Sequence, residues 1–173
     1  MSFSVVWFGV NGKDKSAFLN EAGYRDTGEA DEFCDAEVSG AHYPSGWYVL
    51  VGGDVEMFDV DRLRALSHEA RLVAVVSNED TLTSIATEWV NGEPVWSISH
   101  EPSDGDPTIT VEGALPVEFE AVRRTYLEKL NGDSTVELAF EVPVDVAHRI
   151  TGFRHDMIGF EENGPVFTRL EEG

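Results

Sequence analysis

The sequence predicts an α+β fold: one domain over residues 1–173, a mainly antiparallel sheet, and three to four helices packed against one face of it. Three observations lead there. Predicted strands outnumber predicted helices, and a hairpin signal occupies the middle of the chain at about residues 81–100. The apolar content, 42% with ten Phe and four Trp, is ample for a buried core despite the charge.

Residues 3–10 are β-branched and aromatic and end at Asn11-Gly12, which reads as a buried strand. A short helix follows, with Asn11 as its cap and Asp14 three residues on. Ala17, Phe18 and Ala22 form its apolar side, and Gly23 stands where a left-handed stop is wanted. Residues 26–46 are acidic and poorly periodic, a long loop or a pair of short edge strands. Trp47 to Val51 reads as a second buried strand. Asp59 caps a helix with Val60, Leu63 and Leu66 inward, and Arg71 to Val76 returns as a strand.

Asn91-Gly92 is the preferred pair for a two-residue type I′ turn. The register it sets places Trp89 opposite Pro94, Thr87 opposite Trp96, Ile85 opposite Ile98 and Thr83 opposite His100, all on one core-facing surface. An acidic loop, 101–107, precedes a short strand at 108–111. Pro116 then opens the clearest helix, with Phe119, Val122, Tyr126, Leu127 and Leu130 at spacings of three and four and Asn131-Gly132 as its stop. Residues 135–142 alternate and read as a strand. Pro143 begins a last helix that Gly152 ends, and Pro165 to Leu170 is a final strand. A weak echo would make 3–28 and 135–156 two strand-helix units with the same punctuation.

The chain carries 33 acidic residues against 12 basic ones, a formal charge of −21. No Lys or Arg occurs between Arg25 and Arg62 or between Arg71 and Arg123. A field of that sign repels phosphates and anionic headgroups and attracts basic protein surfaces. Nucleic acid and membrane are therefore not expected as partners, and a basic protein is. The first residues lack a basic leader and an apolar run long enough to span a bilayer, so a cytoplasmic location is expected. The single Cys34 rules out an intrachain disulfide, and its acidic neighbours disfavour a thiolate.

No catalytic residue, cofactor or metal is assigned. An EF-hand loop begun at Asp104 would need Gly at its sixth place and Glu at its twelfth, and it meets Ile109 and Leu115. Gly52-Gly53-Asp54 has no lysine to make a phosphate loop. A lone His100 on an apolar strand reads as a hydrogen-bonded core residue. The candidate partner-binding patch combines Glu29, Asp31, Glu32 and Asp35 with the aromatic anchors Tyr43 and Trp47. A candidate polar pocket gathers His148, Arg149, Arg154, His155 and Asp156, whose side chains could serve acid-base chemistry or complement a helix end.

These features favour a bacterial-type, non-enzymatic acidic protein-binding module that acts on a basic partner, as an inhibitor or toxin-neutralising immunity protein does. Two alternatives stand beside it. One is a small-molecule-binding or hydrolytic domain using the His148–Asp156 cluster, and the other is a nucleic-acid mimic.

Overall fold

The described residues hold nine strands, all joined in one antiparallel sheet. The computed structural model describes residues 4–102, 108–130 and 136–173. The strands are β1 (Ser4–Asn11), β2 (Tyr24–Ala30), β3 (Val38–His42), β4 (Tyr48–Gly52), β5 (Arg71–Asn78), β6 (Thr83–Val90), β7 (Glu93–His100), β8 (Thr110–Gly113) and β9 (Thr168–Glu172). Their spatial order is β2-β9-β3-β4-β1-β5-β6-β7-β8. Four helices complete the α+β fold: α1 (Lys15–Ala22), α2 (Val60–Leu66), α3 (Val117–Leu130) and α4 (Val136–Thr151). Among the described residues, no helix is long and apolar enough to cross a membrane.

The helices cover both faces of the sheet, not one. Val6, Phe8, Val10, Leu50 and Leu72 meet Phe18 and Leu19 of α1 and Leu63 and Leu66 of α2. On the opposite face Trp7, Val73, Val75, Trp96 and Ile98 meet α3 and α4 through Val122, Tyr126, Val142, Val146 and Ala147. Fully burying a side chain of this size contributes roughly 1.5–3 kcal/mol, so the two layers together hold the sheet. Local signals place the helix ends. Asp14, not Asn11, caps α1 by accepting from the Ser16 and Ala17 amides, because β1 runs on through Asn11. Ala17 is exposed and Leu19 takes its place inward. Gly23 adopts a left-handed φ of 85° at the end of α1, and Asp59 caps α2 through the Arg62 amide.

The hairpin turn forms as its sequence demands, with φ of 49° at Asn91 and 82° at Gly92. Val90 pairs with Glu93 and Trp89 with Pro94, as expected. Beyond them Val95 bulges, and Glu88 pairs with Trp96, Thr87 with Ser97 and Ala86 with Ile98. The two tryptophans therefore lie on opposite faces. Two facts make the slip cheap. Both faces have apolar cover, and the shifted register lets Trp96 Nε1 donate to Glu88 Oε2 at 2.7 Å while Arg71 Nε donates to Glu88 Oε1 at 2.7 Å. His100 is fully buried, its Nδ1 2.8 Å from the Thr108 carbonyl oxygen.

The expected strand over 135–142 is instead the first half of α4, which runs unbroken through Pro143. Ala139, Val142, Val146 and Ala147 recur at helical spacing and are buried, and that burial outweighs the backbone bond the proline removes. Ser84 Oγ donates to the Phe140 carbonyl at 2.7 Å and ties this interrupted turn to β6. The second half of the echo thus contains no strand over 136–142. Thr135, the Asn131-Gly132 stop and the loop residues 103–107 lie outside the described residues.

The segment 26–46 holds two strands. β2 is an edge strand, whereas β3 is interior, and β9 lies between them. The β3–β9 ladder is short, with only Ser39 opposite Arg169 and Gly40 opposite Thr168.

Candidate functional site

Where that ladder stops, the sheet opens. Continuing the register would put Val38 opposite Leu170 and Glu37 opposite Glu171. Neither pair forms, although β9 continues along β2 on its other edge (Arg25 opposite Glu171) and β3 along β4 on its other edge (Val38 opposite Gly52). Pairing there would set Glu37 directly opposite Glu171, and like charges in that position are destabilising. The result is a groove of about 850 Å³ lined by Asp35, Glu37, Asp54, Glu171 and Glu172 over the apolar side chains of Tyr24, Val38, Met57 and Leu170. Arg169 is the one basic residue among those lining it. Glu171 also accepts from Arg25 at 2.6 Å on the β2 side.

The loop leading into this groove hangs on Asp31. Its carboxylate accepts from the Asp35 amide at 2.9 Å, the Ala36 amide at 3.0 Å and Ser39 Oγ at 2.5 Å. Burial alone would raise the Asp31 carboxyl, but the Ser39 hydroxyl and the two amides outweigh it and hold it below the ordinary value. Asp31 is thus buried and internally bonded, while Glu29, Glu32 and Asp35 are exposed. The aromatic anchors lie elsewhere. Tyr43 and Trp47, 8% and 4% exposed, belong to the core. Tyr43 stacks edge-on against Phe153 with ring centres 5.5 Å apart, and Trp47 lies under the Arg71 guanidinium at 5.2 Å. The exposed aromatic of the loop is Phe33. Burial first, then the Asp31 charge, pushes the Cys34 thiol up to about 12.

The His148–Asp156 cluster converges incompletely. His148, Arg154 and Asp156 line an open cavity of about 530 Å³ with Tyr126, Glu141, Asp145 and Met157. Arg149 is exposed and, like His155, does not belong to that lining. Arg154 forms ion pairs with Glu141 and Asp145, one helical turn apart on α4, and with Asp156 at 2.7 Å. Tyr126 Oη donates to Asp145 Oδ2 at 2.5 Å, which joins α3 to the same network. Burial, then the Arg154 charge, lowers the His148 pKa, and burial lowers that of His155. Chemically this is a guanidinium whose charge is already spent on three carboxylates. Among the described residues, no group of three or more His, Cys, Asp or Glu side chains is placed to hold a metal ion.

Comparison with protein-family models, with curated proteins and with solved structures gives no match.

The groove acids Glu37, Asp54, Glu171 and Glu172 fall outside the patch expected from sequence. Their acidity is readable there. Their convergence depends on β9 lying beside β3, about 130 residues away along the chain, for which no local pattern exists.

Proposed function

We propose that this protein is a non-enzymatic acidic binding module that engages a basic protein partner, in the manner of an inhibitor or immunity protein. One observation carries the reading: five carboxylates from three distant segments converge on a concave surface with a single basic residue among its lining. Six other bases are committed elsewhere, since Lys13, Lys15, Arg64, Arg71, Arg123 and Arg154 pair with carboxylates outside the groove, and Arg25 reaches one groove acid, Glu171, from the β2 side. A concave field of one sign speeds encounter with an opposite charge, and the apolar floor suits the methylene stem of a lysine or arginine.

The hydrolytic or small-molecule reading of the Arg154 cluster has less support, because its one guanidinium is saturated by carboxylates. A nucleic-acid mimic would need acids spaced along an elongated face, and the groove acids instead converge.

The test is capture from a cell extract at low and high salt with wild type and a neutralised groove variant, Glu37→Gln/Asp54→Asn/Glu171→Gln. The reading expects basic proteins that elute with salt and are lost with the variant. Recovery of acidic partners, or identical recovery by the variant, overturns it.

A further inference from the structure

Three large apolar side chains stand in solvent on the other side of the Asp31-anchored loop. Phe33 is 60% exposed, Phe160 84% and Val166 68%. The segments that carry them meet around Gly159. Phe33 lies across Gly159, where a Cβ would come within 2.7 Å of its ring carbons, and Phe160 is the next residue. Gly159 and Val166 in turn line one recess of about 230 Å³ with Ile158, Phe167, Glu32 and Glu161. An adjoining opening adds Glu162. No lysine or arginine lines either space.

Isolated apolar residues on a surface need no explanation, but grouped ones rimmed by charge mark contact sites. The rim decides what can cover them. The exposed Glu32 lines the recess, the exposed Glu162 lines the adjoining opening, the exposed Glu29 precedes Ala30 of the recess lining, and the chain as a whole carries −21. A second copy, an anionic bilayer or a nucleic acid would bring like charge onto those acids as it buried the aromatics. A cationic polypeptide brings the opposite. We infer that the face formed by Phe33, Phe160 and Val166 docks an amphipathic, cationic segment of another protein, whose apolar side covers these three residues while its lysines or arginines meet Glu29, Glu32 and Glu162.

This inference rests on the acidic-module reading and deepens it by naming the hydrophobic half of the contact. The aromatic anchors supply the tight, desolvated centre that a purely electrostatic groove lacks, and the acids supply a screened rim. The loop 31–37 carries both halves, with Phe33 on this face and Asp35 and Glu37 in the groove.

The probes are a synthetic leucine-lysine peptide that forms an amphipathic helix, a scramble of the same composition, and polylysine of the same length. Affinity is measured by calorimetry, and the site is mapped by amide chemical shifts. Wild type is expected to bind the amphipathic peptide about tenfold more tightly than the scramble, with shifts centred on Phe33, Phe160 and Val166. Phe160→Ser alone, at a side chain too exposed to affect folding, should remove about half of that preference on a logarithmic scale. Phe33→Ser/Phe160→Ser/Val166→Ser should abolish it and leave the weak, salt-sensitive polylysine binding in place. Equal affinity for the amphipathic and scrambled peptides, or no change with Phe160→Ser, overturns the docking face while leaving the acidic module standing. Failure of every cationic probe to bind overturns both.

Discussion

Two acidic regions of this molecule are built from the same residue types and reach opposite ends. Around Arg154, three carboxylates close on one guanidinium that is 14% exposed, and a tyrosine hydroxyl completes the network. In the groove between β3 and β9, five carboxylates converge on a lining with one arginine, at the point where the ladder between the two strands stops. The first arrangement is satisfied by its own fold and holds α3, α4 and the 155–157 turn together. The second is neutralised only in part, by Arg25 on Glu171 and by Arg169 in the lining. Composition alone does not separate balanced charge from unbalanced charge; local pairing does.

The sharpest way to break the closed region is Arg154→Ala, which leaves three half-buried carboxylates facing one another. A loss of about 3 kcal/mol is expected in urea unfolding at neutral pH. The deficit should shrink as pH falls through the carboxylate range, since protonation relieves the repulsion. A pH-independent deficit would mean that Arg154 acts through packing instead.

Asp31→Asn probes the loop that leads into the groove. It keeps the shape but replaces one accepting oxygen by a donor NH2, so that the Asp35 or the Ala36 amide loses its acceptor, for an expected cost of about 2 kcal/mol. Faster amide exchange at Asp35 or Ala36 should accompany it. In wild type, Asp31 and Asp156 both have folded pKa values below the ordinary 3.8. A depressed value means stability that is fully present above 3.8 and lost as pH falls through the lower folded value. Thermal melts should therefore hold their midpoint down to about that pH and fall below it, with Asp31→Asn showing the smaller drop.

Glu37→Gln/Glu171→Gln tests the open region and should have the reverse sign. Relief of like charge across the interrupted ladder is expected to outweigh the exposed Arg25–Glu171 pair that the second substitution weakens, and to stabilise the fold by about 0.5 kcal/mol while weakening affinity for polylysine. A destabilised double variant would show that repulsion is not what separates the strands. The smallest effect is expected from Arg64→Ala, whose pair with Asp61 is exposed on both sides and worth no more than about 0.5 kcal/mol.

Much of the fold is legible in local signals. β1, β4, β5, α2 and α3 each follow from a period and a cap or stop, and Asn91-Gly92 sets the turn and its first two pairs. The Val95 bulge is not legible, because its compensation comes from Glu88 and Arg71 across two other strands. Residues 136–142 fit both a strand and a helix period, and Pro143, which reads as a helix start, lies in a helix interior. Of the candidate patch, the acids Glu29, Glu32 and Asp35 are exposed, but burial takes Tyr43 and Trp47 because they flank a strand in the middle of the sheet. Phe33 has only a faint signal in the sequence. It is an aromatic with no strand partner in an acidic run.

The placement of β9 has a consequence for how the chain comes together. β1, β4, β5, β6 and β7 can pair as soon as residue 100 exists, through connections that span at most a few dozen residues. β2 has no neighbour until residues 168–172 arrive to bridge it to β3. Closing so long a loop is slow, and it contributes little before the rest is in place. The groove beside β9 should accordingly form only after residues 168–172 have been synthesised, so that a nascent chain already holding the central strands would still lack it.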